Sequence, residues 1–114
     1  MEINEKELEQ GILVTISGKL DAMTSVDAQK RLLKILDEEK SNLIIDFKNI
    51  AYVSSAGLCA LLMCAKRSKE LGVFICLVNV NAMFREILET TGFYSYIRIF
   101  DNLDMAIVSL DVKK

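Results

Sequence analysis

The segment LIIDFKNIAYVSSAGLCALLMCAKRSKELGVFICLV, residues 43–78, decides the fold. It opens with the continuous apolar run Leu43-Ile44-Ile45, ending in Asp46-Phe47, and closes with a second run from Val73 to Val78. Apolar runs of this length, without polar alternation, suit strands buried on both faces of a parallel sheet. Between them, Ala56 to Leu71 consists of good helix formers, and Gly72 stands where helices end by turning left-handed. Strand, helix, strand at this spacing predicts a βαβ unit.

Working outward, Ile12, Val14 and Ile16 alternate with Leu13, Thr15 and Ser17, which predicts a strand with one well-buried face that ends at Gly18. A strand over residues 3–8 is expected to pair with it through the Gln10-Gly11 turn. Thr24 or Ser25 caps a helix to about Glu39, with Val26, Leu32, Leu33, Ile35 and Leu36 on its apolar side. Downstream, Asn81 caps a third helix from Ala82 to Thr90. Its Met83, Phe84, Ile87 and Leu88 read as core, and Gly92 ends it, leading into the Gly92-Phe93 turn. Ile97 to Phe100 is a short strand, and Asp101 or Asn102 caps a last helix carrying Leu103, Ala106, Ile107 and Leu110. The expectation is an α/β fold, one domain over residues 1–114, with a four- or five-stranded mixed sheet and about four helices.

Composition narrows the function. Hydrophobic residues make up 52% of the chain and charged residues 26%, so there is apolar material for a packed core and the charge balance of a folded protein. A net charge of −2 offers no polyelectrolyte grip on nucleic acid or an anionic membrane. With no His in the chain, a His-based triad or zinc site is excluded. Cys59, Cys64 and Cys76 form neither an even disulfide set nor a CxxC pair; they read as reduced core thiols. The first ten residues, MEINEKELEQ, carry five acidic or basic side chains, unlike a signal or transit peptide, and no apolar run is long enough to span a bilayer. A cytoplasmic protein that makes no direct contact with nucleic acid or membrane, and that needs no metal or cofactor, is expected.

The informative constellation is Tyr52-Val53-Ser54-Ser55-Ala56-Gly57-Leu58, where a strand end gives way to a helix. On residues alone, Ser54 or Ser55 is an N-cap, while Ala56 and Gly57 let the first turn pack closely. A functional reading stands beside it. Free N–H groups and the dipole at a helix N-terminus favour an anion, so the fold would tolerate a phosphate on one of these serines. Such a phosphate adds about two negative charges at one spot, which is the physics of a binding switch.

With Gly18-Lys19-Leu20-Asp21 and the apolar strand Leu43 to Phe47 before it, this motif resembles the STAS domain of bacterial anti-sigma-factor antagonists. Those proteins show Gly-x-Leu-Asp after the second strand, an apolar strand ending in Asp or Asn, and then Asp-Ser-Ser/Thr/Ala-Gly-Leu opening a helix. The resemblance covers nearly the whole chain. It implies a non-enzymatic antagonist that captures an anti-sigma factor with serine-kinase activity and so frees a sigma factor for transcription, a form of partner switching. It implies phosphorylation at Ser55 as the off signal, reversed by a PP2C-type phosphatase. It also places Asp21, Thr24, Ser54, Ser55, Ala56, Gly57 and Leu58 at the partner-binding surface. Ser54 stands where the family shows Asp; it can cap a helix but carries no charge. A scaffold or subunit module of a transporter or signalling assembly, not phosphorylated, is the alternative.

Other residues read as structural. Cys59 and Cys64, five apart on a helix, fall on different faces and make no metal or redox pair. Lys66, Arg67 and Lys69 complement the helix dipole on a solvated face, with partner contact as the lesser option. Gly57 belongs to no nucleotide-phosphate loop.

Overall fold

In a computed structural model, residues 1–92 and 97–112 are described. The elements run β1 (Glu2–Leu8), β2 (Gly11–Leu20), α1 (Ser25–Glu39), β3 (Leu43–Asp46), β4 (Ile50–Val53), α2 (Ser55–Leu71), β5 (Ile75–Val78), α3 (Ala82–Thr90), β6 (Arg98–Phe100) and α4 (Leu103–Val112). The main sheet is ordered β1-β2-β3-β5-β6; β1 is antiparallel to β2, and β2-β3-β5-β6 are parallel. The mixed α/β architecture is the expected one.

Every residue of β3 and β5 is buried. The pleat divides them by alternation: Leu43, Ile45, Ile75 and Leu77 meet Leu32, Leu36, Leu61 and Cys64 of α1 and α2, while Ile44, Cys76 and Val78 meet Ala106 and Leu110 of α4. Helices on both faces explain the unbroken apolar runs in these strands. Burying each Leu or Ile here contributes about 1.5–3 kcal/mol. The buried Asp46 closes β3: its Oδ1 accepts from the Lys48 N–H at 2.9 Å and from Asn79 Nδ2 at 3.0 Å.

Several boundaries differ from the sequence expectation. β2 does not end at Gly18. Its register shifts between Gly18 and Lys19, and its last residues pair in parallel with β4, a sixth short strand the sequence reading did not separate. Gly18, with φ of 106°, makes that break without strain. In α1, Ala28 is buried and Val26 is 55% exposed, so Val26 is not on the apolar side. The larger correction concerns α3: Leu88 is buried and Phe84 half-buried, but Met83 and Ile87 are exposed. The spacing 83, 84, 87, 88 makes two adjacent stripes on a helix, and only the 84/88 stripe faces the sheet. Of the Gly92-Phe93 turn, Phe93 lies outside the described residues.

Candidate functional site

The site is built where the end of β2 meets the start of α2. Ser54 is the α2 N-cap: its extended backbone aims Oγ at the Gly57 N–H, which donates to it at 3.3 Å. The Ser54 carbonyl accepts from the Leu58 N–H at 3.0 Å, and the Ser54 N–H donates to the Leu20 carbonyl at 2.8 Å. One residue thus starts the helix and ties it to β2. Gly57 completes the joint. A Cβ there would lie 2.7 Å from the Leu20 carbonyl oxygen and 2.9 Å from Val53 Cγ1, so the close approach requires glycine. Ala56 and Leu58 are half-buried beside it.

Ser55 is the first residue of α2 and is exposed. Because Ser54 does the capping, the Ser55 hydroxyl is left facing solvent at the positive end of a 17-residue helix whose first turn contains no acidic side chain. That choice between the two serines was open in the sequence.

Asp21 follows Leu20 directly, so its loop adjoins the α2 N-terminus. Its carboxylate folds back on its own turn: Oδ1 accepts from the Met23 N–H at 2.9 Å and the Thr24 N–H at 3.0 Å. Thr24 Oγ1 accepts from the Asp21 N–H at 3.0 Å and donates to the Lys19 carbonyl at 2.6 Å. The Thr24 N–H, with smaller contributions from Met23, the Thr24 hydroxyl and Lys19, holds the Asp21 carboxyl below the usual carboxylate range despite some desolvation. Asp21 is therefore a fixed anion and Thr24 the organiser of its turn. Thr24 occupies the α1 N-cap position, yet its side chain makes no capping bond to that helix.

The structure adds a feature that reading for core had hidden. Between β4 and α3 lies an apolar groove of about 200 Å³, walled by Val53 and Tyr52 on one side and by Met83, Phe84 and Ile87 on the other. Phe47 and Phe84 stack at its base with ring centroids 5.4 Å apart. Tyr52 is 55% and Met83 74% exposed. The groove runs along β4, which leads straight into Ser54 and Ser55. The only signal in the sequence was the double stripe of α3.

The cysteines divide. Cys64 and Cys76 are buried, which pushes both thiols up to about 12, whereas Cys59 is exposed and is not a core thiol. Four residues after Ser55, Cys59 shares its side of α2. At the other end of the helix, Arg67 bonds Asp37 of α1 through Nε at 2.7 Å and approaches Glu70 at 3.6 Å, which raises the guanidinium pKa. Among the described residues no cluster of three or more His, Cys, Asp or Glu side chains could hold a metal, and no helix is long and apolar enough to cross a membrane.

The chain matches the STAS domain family over residues 2–106. It belongs to that family. The family is non-catalytic, in agreement with the reading of the sequence. The anti-sigma F factor antagonist of Paenibacillus polymyxa is 26% identical over 110 residues, covering 95% of this chain and 94% of that protein. Among solved structures, the phosphorylated form of the Bacillus cell fate determinant SpoIIAA superposes with a TM-score of 0.72 at 13% identity, covering 96% of this chain and 99% of that one. The murine anion transporter Slc26a9 contains the same STAS fold: TM-score 0.80, 20% identity, 94% of this chain and 18% of the transporter.

Proposed function

We propose that this STAS domain is an anti-sigma-factor antagonist whose docking surface is the N-terminal end of α2 with the Asp21 turn, and that phosphorylation of Ser55 switches it off. The observation that carries the proposal is the division of labour between the two serines: Ser54 caps the helix and Ser55 presents an exposed hydroxyl. The partner is an anti-sigma factor with serine-kinase activity, and a PP2C-type phosphatase restores the unmodified form.

The switch is local. A phosphate on Ser55 meets the first-turn N–H groups of α2 and the positive end of its dipole, so the fold accepts it. The partner meets about two new negative charges beside the ionised Asp21, and desolvation and like-charge repulsion oppose docking. Leu58 and Ala56, half-buried, supply contact area, and Gly57 keeps the turn close to β2.

A second reading, an unphosphorylated scaffold, is favoured by one observation: Ser54 supplies no carboxylate beside the acceptor. Intact-mass measurement after incubation with the serine kinases of the source organism separates the two. One phosphate, lost in Ser55→Ala and removed by a PP2C phosphatase, is expected; phosphate retained in Ser55→Ala overturns the site, and no phosphate favours the scaffold. Calorimetry should show Ser55→Asp binding the anti-sigma factor more weakly while its melting temperature stays within a few degrees of wild type. Unchanged affinity would sink the switch.

A further inference from the structure

The C-terminal half of α2 forms one wall of a cleft of about 1010 Å³ that faces the β5–β6 end of the sheet. Its surface is mostly apolar, formed by Leu62 and the exposed Met63 of α2 and by Phe74, which is 37% exposed. Three cations stand around it. Lys66 and Lys69, three residues apart, share one side of α2, and Arg98 of β6 lies opposite with its guanidinium 4.8 Å from the Phe74 ring centroid.

Among the described residues, none of these cations has a carboxylate within salt-bridge distance. One carboxylate, Glu70, also lines the cleft, and its Oε1 lies 3.6 Å from Arg67 Nη1, so the lining carries three cations against one carboxylate that is paired outside it. In a chain of net charge −2, this is a concentrated positive patch around an apolar floor. Complementing the dipole at the end of α2 explains Lys69, in the last turn, but not Arg98 on another element.

We propose that this cleft binds a small amphipathic anion, with an apolar body on Leu62, Met63 and Phe74 and an anionic head held by Lys66, Lys69 and Arg98. Apolar lining with a few polar groups in one concavity is the usual form of a small-molecule site. An inorganic anion would leave the apolar floor wet, and a neutral apolar molecule would leave Lys66 and Lys69 without a counter-ion. The cleft lies at the opposite end of α2 from Ser55, so the proposal stands whether or not Ser55 is phosphorylated.

The test is calorimetric titration of the full chain with laurate below its micelle concentration, with dodecanol as the neutral control. Saturable 1:1 binding is expected, weakened about tenfold or more in the Lys66→Glu/Lys69→Glu variant, which corresponds to about 1.4 kcal/mol. Binding should weaken as salt rises. Met83→Ala, in the groove beside Ser55, should leave it unchanged. Arg98→Ala, checked for folding by circular dichroism, gives an independent loss should the double variant fold poorly. No laurate binding overturns the proposal, as does equal binding of dodecanol, affinity unchanged by removing the cations, or loss in Met83→Ala. An acidic amphipathic peptide that binds where laurate does not, or a dimer that laurate fails to displace, also overturns it.

Discussion

The two ends of α2 are held in place by different physics, and the difference separates what the fold needs from what the surface offers. At the N-terminal end the helix is pressed into its surroundings: a Cβ at Gly57 would collide with Leu20 and Val53, and Ser54 bonds β2. At the C-terminal end, Gly72 has nothing within 4 Å of where a Cβ would go. It is needed for its left-handed φ of 76° alone, and its N–H closes the helix on the Ser68 and Lys69 carbonyls. One glycine answers to space, the other to backbone conformation. The helix thus presents a closely placed serine at its first end and the exposed Lys66 and Lys69 at its second, where Arg67 ties it to Asp37 of α1.

Gly57→Val should cost about 3 kcal/mol, because overpacking is compounded by contact with a backbone carbonyl that cannot move alone. Urea unfolding measures it, and a loss below about 1 kcal/mol would show that the joint between β2 and α2 is soft. Gly72→Ala should cost about 1–2 kcal/mol for the left-handed conformation, and Gly72→Asn less. A larger loss at Gly72 than at Gly57 would reverse the assignment.

Ser54→Ala removes the cap and should cost about 1 kcal/mol in the same assay. The Ser55→Ala chain, in contrast, should unfold with the wild-type midpoint, since its hydroxyl is not the cap. The smallest expected loss concerns Asp21. Its carboxyl is held below its ordinary 3.8, so the stabilisation it provides is present above that pH and fades as pH falls through the lower folded value. Asp21→Asn should therefore melt below wild type at pH 6, with the gap narrowing as pH falls below 3.8. A gap independent of pH would mean that the turn depends on shape rather than charge.

Strands β3 and β5, the Asn81 cap of α3 and the left-handed stop at Gly72 were legible, because each rests on local chemistry: apolar runs, an Asn side chain, a glycine. The pairing of β4 with β2 was not, since it depends on a register shift after Gly18 that carries no periodic signal. Met83 and Ile87 misled for a related reason. Apolar spacing reports that a helix has a greasy side but not how wide a side its neighbours cover. Residue type alone puts Cys59 in the core, whereas its five-residue separation from the buried Cys64 puts it on a different, exposed face of α2. At the site, the neighbourhood of Asp21 and the Ser54–Leu58 segment came from the resemblance. Which serine caps became visible only in three dimensions.

The Phe47–Phe84 stack has a consequence for timescale. Among the described residues, helix α3 is fastened to the rest of the chain by that ring pair, by the buried Leu88 and by the ion pair of Arg85 with Asp101, while Asn81 closes its first turn. A nine-residue helix with one fully buried side chain is expected to open at a smaller free-energy cost than the wholly buried strands β3 and β5. The groove beside Ser55 therefore has one bank tied to β2 by strand pairing, β4, and one bank on a short helix that opens at less cost. A ligand entering it would spend part of its binding energy stilling α3, and its residence time would follow how often that helix breathes.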